Sequence, residues 1–234
     1  MIKGIIFDVD GVIINTENTH FLAYVKVFKE YGYQLTLDDY LKHFSGKSIR
    51  GGVLSLLTEH TINTSSDQEG LINEITQKKV SQTLERFKKK VDYFEDTLKF
   101  IQHIEKGNLH LKGVGQVVEN PILAMATGLE SAFFEYVLAQ HNLKQLFPII
   151  VTADHYSHSK PNPECYLMAL NKMVLTPNEV VGIEDSVSGV KALNSAEIFS
   201  IAVTTTNQAS DLLEAKVVTK TLTELITLQA PPLP

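Results

Sequence analysis

Two acidic pairs stand where they can do chemistry together. Asp8 and Asp10 lie two residues apart in Phe7-Asp8-Val9-Asp10-Gly11, straight after the apolar run Ile5–Phe7. Glu184 and Asp185 follow the apolar run Val180–Ile183. Thr127 closes Ile122–Ala126, and Lys160 stands just before a helix start at Pro161-Asn162-Pro163. Taken singly, each is ordinary: an acid after a strand caps a helix, a threonine makes a turn, a lysine is solvated. Taken together they are more specific, because crowded carboxylates repel unless a cation lies between them. A hard divalent ion with oxygen ligands, Mg²⁺ foremost, suits that donor set. With an ammonium and a hydroxyl beside it, such a site offsets the charge of a phosphate ester. One carboxylate can then attack phosphorus, and a second can protonate the leaving oxygen and later activate water. Uncatalysed monoester hydrolysis is so slow that strong electrostatic preorganisation is required.

The elements that must position these groups alternate. Buried strands are expected at Ile5–Phe7, Ile122–Ala126, within Pro148–Thr152, at Val180–Ile183 and at Ser200–Val203. Helices are expected at Leu98–Ile104, Ser131–His141, Pro163–Met173 and Ser188–Asn194, with another starting at Ser210–Leu213. Strands alternating with helices imply right-handed crossovers and a Rossmann-like parallel α/β sheet. Between the first strand and the rest, the pattern turns helical. Thr36 before Asp38-Asp39 marks a helix start, Gly51-Gly52 is expected to delay the next helix, and Glu69–Lys90 reads as one amphipathic helix with Leu71, Ile72, Ile75, Val80, Leu84 and Phe87 on its apolar side. The expected organisation is therefore a core of residues 1–15 and 93–229, an inserted helical cap of residues 16–92, and a frayed tail at 230–234 with three prolines. An insertion after the first strand lies above the carboxyl ends of the strands, where open α/β sheets bind ligands, and can act as a lid.

Composition sets the bounds. The chain has 234 residues, 44% of them hydrophobic and 21% charged, which suits a globular protein and excludes a disordered, collagen-like or coiled-coil chain. The net charge of −6 argues against a general nucleic-acid binder. No run of about 20 apolar residues spans a membrane, and the apolar run at the N-terminus is short for a signal peptide. Cys165 is the sole cysteine, which points to a reduced, cytoplasmic chain and to a core thiol rather than a reactive one.

The segments FDVDGVIINTE, ATG, SKPNPE and GIEDSVSGVKA resemble the four motifs of the haloacid dehalogenase-like superfamily, in order and spacing, over about Ile5–Val203. Within it the chain looks most like the β-phosphoglucomutase and phosphoglycolate phosphatase branch. The resemblance implies that Asp8 is the nucleophile and that Asp10 is the general acid and base, which also offers a backbone carbonyl to Mg²⁺. It implies that Thr127, Gly128 and Lys160 hold the phosphoryl group, that Asp185 ligates the metal and that Glu184 ligates or supports it. Several positions depart from the pattern. Asn15 stands where an acid is common, and Phe94-Glu95-Asp96-Thr97 replaces the usual Pro-Gly at the return from the cap. The turn after the fourth motif reads Ser195-Ala196-Glu197-Ile198. Asn108–Asn120 is longer than the usual connection and reads as a surface insertion, with a hairpin or a partner site as alternatives.

The cap loop Phe44–Arg50 contains Gly46-Lys47-Ser48, but position 41 is Leu and no strand precedes it, so it is not a nucleotide P-loop. Lys47 and Arg50 can meet an anionic substrate there or sit on a solvated turn, and His20 matches a hinge histidine of the mutase relatives. The mutases carry an arginine one position from Arg50 and a lysine shortly after the second motif, where this chain has Glu130. The expected activity is therefore a Mg²⁺-dependent phosphatase for small phosphorylated metabolites such as sugar phosphates or phosphoglycolate, with the mutase as the alternative. A non-catalytic phosphate-binding protein and a phosphoacceptor signalling module remain more distant. The metal-free dehalogenases lack the second acid of the first motif, and a phosphonatase would need Lys47 as a Schiff base. A monomer or weak homodimer is expected, with no membrane or nucleic-acid partner.

Overall fold

The computed structural model describes residues 1–44, 47–60, 67–107 and 109–227. Ser45 and Gly46 of the cap loop, Asn108 and the tail 230–234 lie outside these residues. The chain divides into two compact units, residues 1–15 with 92–234 and residues 16–91.

Among the described residues, the first unit is built on a mostly parallel eight-stranded sheet. Strand β1 (Ile2–Phe7) is buried at every position except Lys3, as expected of a strand covered on both faces. It lies between β3 (Val117–Ala126) and β5 (Val180–Glu184) and is parallel to both. β6 (Phe199–Val203) and β7 (Val217–Thr219) continue the sheet in parallel beyond β5. On the other side, the end of β3 pairs in parallel with β4 (Ile149–Val151), while its beginning pairs antiparallel with β2 (Leu109–Leu111). Strand β2 also takes β8 (Ile226–Thr227) antiparallel. Helices α5 (Glu95–Glu105), α6 (Ser131–Leu138), α7 (Leu143–Leu146), α8 (Glu164–Met173) and α9 (Val187–Ser195) belong to this unit. One core joins Ile6, Ala124 and Val151 of the sheet to Cys165, Tyr166 and Ala169 of α8 and Leu193 of α9. Cys165 is fully buried, and burial pushes its thiol up to about 11, so it packs rather than reacts.

The second unit is helical throughout its described residues: α1 (Glu17–Glu30), α2 (Leu37–His43), α3 (Ile49–Glu59) and α4 (Gln68–Lys89). Thr36 starts α2 with a capping box, its hydroxyl accepting from Asp39 N at 3.1 Å and its own N–H donating to Asp39 Oδ2 at 2.9 Å. Its core joins Tyr24, Phe28, Tyr40 and Phe44 to Val53, Leu56, Ile72 and Ile75.

Four expectations are corrected. Helix α3 begins before Gly51-Gly52, because Ser48 Oγ accepts from Gly51 N at 3.1 Å and caps the helix two residues earlier. The buried side of α4 is Ile72, Ile75, Lys79, Thr83 and Phe87, which leaves Leu71, Val80 and Leu84 half-buried. The segment favoured as a surface insertion takes its hairpin alternative instead: β2 and the start of β3 form an antiparallel pair that extends β3 back to Val117. At Ser210 the chain makes a single 3₁₀ turn, Ala209–Asp211, and then enters β7. No helix among the described residues is long and apolar enough to cross a membrane.

Candidate active site

The site begins where β1 ends. Asp8 N donates to Ile183 O at 2.9 Å, so Asp8 still lies in register with β5. The chain then turns tightly, with Ile13 N and Ile14 N both donating to Val9 O and Gly11 N donating to Ile14 O. Gly11 has φ +83°, and a Cβ there would stand 2.0 Å from Asp185 Oδ2. Glycine is therefore required both by the backbone and by the approach of Asp185 from the end of β5.

Lys160 arrives from the loop between β4 and α8, through a cis Lys160–Pro161 bond. Glu164 at the start of α8 ties that loop down, accepting from Ser157 N at 3.0 Å and His158 N at 2.8 Å. Lys160 Nζ donates to Asp8 Oδ1 at 2.5 Å and to Glu184 Oε1 at 2.7 Å, and lies 4.8 Å from the centre of the Tyr166 ring. Glu184 Oε1 also accepts from Tyr166 OH at 2.7 Å. Its Oε2 accepts from Asp185 N, Ser186 N and Ser186 Oγ at 2.9–3.0 Å. Gly189 in the first turn of α9 makes room for this carboxylate, since a Cβ there would lie 1.7 Å from Oε1. Thr127 at the end of β3 is buried; its hydroxyl accepts from Leu129 N at 3.1 Å and keeps its proton to donate. Tyr156 OH donates to Thr127 O at 3.0 Å.

The electrostatics are unbalanced. Asp8, Glu184 and Asp185 are all buried, and Lys160 pairs with the first two. Burial pushes Asp8 up to about 7; Lys160 opposes this, while the charges of Glu184 and Asp10 add to it. Burial would also raise Glu184, but the charge and hydrogen bonds of Lys160, with Tyr166 and Ser186, hold it below its ordinary value. Among the described residues the Asp8 side chain has one strong donor where that of Glu184 has five, which explains the opposite directions. Burial, then the charges of Glu184 and Asp8, push Asp185 well up. Lys160 is held well above its usual range, because Asp8 and Glu184 outweigh its burial. Uncompensated buried carboxylates and hard oxygen donors fit a divalent cation. The carboxylates of Asp8, Asp10 and Asp185 are not gathered to within 4.8 Å of one another. Asp8 is drawn to Lys160, and Asp185 Oδ2 accepts from the Thr206 hydroxyl.

The first unit thus brings Asp8, Asp10, Thr127, Lys160, Glu184 and Asp185 to the carboxyl ends of β1, β3 and β5 and the loop after β4, with Gly128 beside Thr127. Asp10 acts through its charge on both Asp8 and Asp185. The other candidates lie in the helical unit and are locally engaged. His20 Nδ1 meets Lys79 Nζ at 3.0 Å. Arg50 grips Glu69 with two hydrogen bonds of 2.5 and 2.6 Å, and Lys47 Nζ donates to Lys42 O at 2.7 Å near the end of α2. Sequence reasoning missed Tyr166, Tyr156, Ser186 and the stretch after β6. There, Thr205 donates to Gly11 O, Thr206 to Asp185, and Asn207 Nδ2 to Asp185 O at 3.0 Å. The one available signal was position: Thr204–Asn207 follows a buried strand, as the acidic pairs do.

The chain is similar to known proteins over most of its length. A model of the haloacid dehalogenase-like hydrolase family matches residues 5–203. The phosphorylated carbohydrates phosphatase of Thermotoga maritima is 30% identical over 217 residues, covering 91% of each chain. The β-phosphoglucomutase of Bacillus subtilis is 24% identical over 230 residues, covering 95% of this chain and 91% of that one. The crystal structure of CbbY from Rhodobacter sphaeroides in complex with phosphate superposes with a TM-score of 0.77 at 20% identity, covering 96% of both chains. The family match over residues 5–203, with a relative 30% identical over 91% of this chain, shows that the chain belongs to the haloacid dehalogenase-like hydrolases.

Proposed function

We propose that this hydrolase is a phosphatase for small phosphorylated carbohydrates and works through an aspartyl-phosphate on Asp8. The observation that carries the reading is the buried Asp8 carboxylate held by Lys160 at the end of β1, with a second acid, Asp10, beside it. The name of the Thermotoga relative supports the substrate class.

In the first step an Asp8 carboxylate oxygen bonds to phosphorus, the ester P–O bond breaks, and Asp10 gives its proton to the leaving oxygen. In the second, Asp10 takes a proton from water as the water oxygen bonds to phosphorus. The Asp8 acyl-phosphate P–O bond then breaks and phosphate leaves. Lys160, the Thr127 hydroxyl and the Gly128 backbone receive the phosphoryl oxygens, where charge must be offset. Mg²⁺ would be held by Asp8, the Asp10 carbonyl and Asp185, and when bound it supplies positive charge against the phosphoryl oxygens. Glu184 is left out of that set, because five donors already fill its two oxygens. It is instead a positioning residue for Lys160, and Thr206 and Asn207 are positioning residues for Asp185.

A mutase is the second reading, favoured by the Bacillus relative. Glu130, exposed at the start of α6, offers a like charge to a second phosphate, and Arg50 is already paired with Glu69. Two assays separate the two readings: phosphate release from sugar phosphates, phosphoglycolate, nucleotides and p-nitrophenyl phosphate, with and without Mg²⁺, beside Asp8→Asn, and isomerisation of glucose phosphates. Mg²⁺-dependent release lost in the variant is the expected result. Interconversion of sugar 1- and 6-phosphates without net release would overturn the phosphatase in favour of the mutase.

A further inference from the structure

The helical unit holds a second group of ligand-type side chains, which the proposed reaction does not use. Asp39 and His43 are four residues apart on α2 and so share one face. His60 caps the end of α3, where Glu59 is the last helical residue. One ligand atom from each of Asp39, His43 and His60 lies within 4.8 Å of the other two, and among the described residues no other His, Cys, Asp and Glu group does this.

The atoms are also prepared for a ligand. His43 is 2% exposed; its Nδ1 meets Ser55 Oγ at 2.8 Å, and its buried Nε2 has no hydrogen-bond partner among the described residues. An imidazole fixed through one nitrogen with the other left open is the usual state of a metal-binding histidine. His60 Nε2 is likewise buried and without a hydrogen-bond partner among the described residues, 3.7 Å from Asp39 Oδ1. Asp39 Oδ2 is held by the backbone N–H and hydroxyl of Thr36, which fixes the carboxylate. Glu59 Oε2 lies 3.4 Å from His43 Nε2 and offers a fourth donor.

We propose that Asp39, His43 and His60 form a metal site for a borderline divalent ion, Zn²⁺ foremost, that ties α2 to the end of α3. Two imidazoles and one or two carboxylates select such an ion over Mg²⁺, which prefers an all-oxygen shell. Bonds of about 2.0–2.2 Å in a tetrahedron put ligand atoms roughly 3.3 Å apart, so closure from the present spacing needs shifts of about an ångström.

The test is a Zn²⁺ titration of the untagged, chelator-stripped full chain in saturating Mg²⁺, read by calorimetry, by imidazole ¹⁵N shifts and by the melting temperature. The variants are Asp39→Asn, His60→Gln and Asp185→Asn. His60 is partly exposed, so its variant tests the site without emptying a core position. Wild type and Asp185→Asn are expected to hold one Zn²⁺ equivalent that Mg²⁺ does not displace, with both imidazoles shifted and the melting point raised. Asp39→Asn and His60→Gln are expected to lose that equivalent or bind it at least about tenfold more weakly. The site is refuted by Zn²⁺ binding that both variants leave unchanged, by loss of the equivalent in Asp185→Asn instead, or by no Mg²⁺-resistant equivalent in the wild type.

Discussion

The polar groups of the sheet unit and those of the helical unit follow different rules. At the carboxyl ends of the strands, Asp8, Glu184 and Asp185 are all buried, and Asp8 and Glu184 converge on Lys160 from positions far apart in sequence. In the helical unit several ion pairs lie on exposed surface, such as Arg50 with Glu69 and Lys88 with Glu85. The contrast teaches where charge is decisive. Buried and unbalanced, it sets pKa values and can do chemistry; exposed and paired, it is screened and does little. The Asp39, His43 and His60 group departs from that rule in the helical unit, since it includes a buried imidazole, and so does the buried Lys79.

The comparison breaks most visibly at Asp8. Asp8→Asn should lower phosphate release by at least about 10⁴-fold while the protein stays folded, read by turnover beside circular dichroism. Next is Lys160→Met, which strands the carboxylates without their ammonium. It should cost about 3–5 kcal/mol of stability above neutral pH and about 10²–10³-fold in turnover, measured by denaturant unfolding and by kinetics. Tyr166→Phe removes one of five donors to Glu184 and should cost about 1–3 kcal/mol, with a smaller loss of turnover than Lys160→Met. Arg50→Ala should leave stability unchanged, because both partners are exposed. A large loss there would erase the contrast.

Acidity offers a further way to sharpen it. Asp8 has a folded pKa of about 7 against an ordinary 3.8, so the native state favours the protonated acid. The stability this contributes is full below the ordinary value and is lost as pH rises through about 7. Asp185 shifts in the same direction. In a chelator the melting temperature should therefore fall from about pH 5 to about pH 8. Asp8→Asn and Asp185→Asn should flatten the curve, and Mg²⁺ should restore the loss at high pH. A wild-type curve in chelator that rises over this range would contradict the electrostatics described for the site.

The same contrast explains what could be read in advance. Asp8, Asp185 and Thr127 were legible because each ends an apolar run, and a parallel sheet brings strand ends to one edge. Lys160 was legible from its place before a helix start. Lys79 was not, because a lysine inside an apolar stripe reads as its edge, and its burial depends on neighbours such as Tyr24, whose ring centre is 5.4 Å from Nζ. Thr206 and Asn207 sit in a polar stretch whose partner, Asp185, is 21 and 22 residues away. Strands β2 and β8 are three and two residues long, too short to show a period, and exist because each pairs with a neighbour distant in sequence. Gly51-Gly52 misled because cap chemistry at Ser48 outweighs the low helix propensity of glycine.

The covalent step is the centre of the account, and trapping it is the most direct measurement. The Asp10→Asn protein should be mixed with Mg²⁺ and p-nitrophenyl phosphate, whose leaving group needs little protonation, then quenched in acid and mapped by peptide mass spectrometry. A phosphoryl adduct on Asp8, labile to hydroxylamine and absent from Asp8→Asn, is the result the account predicts. Nitrophenol release by the wild type with no adduct on Asp8 in the Asp10→Asn protein, and undiminished release by Asp8→Asn, would contradict it.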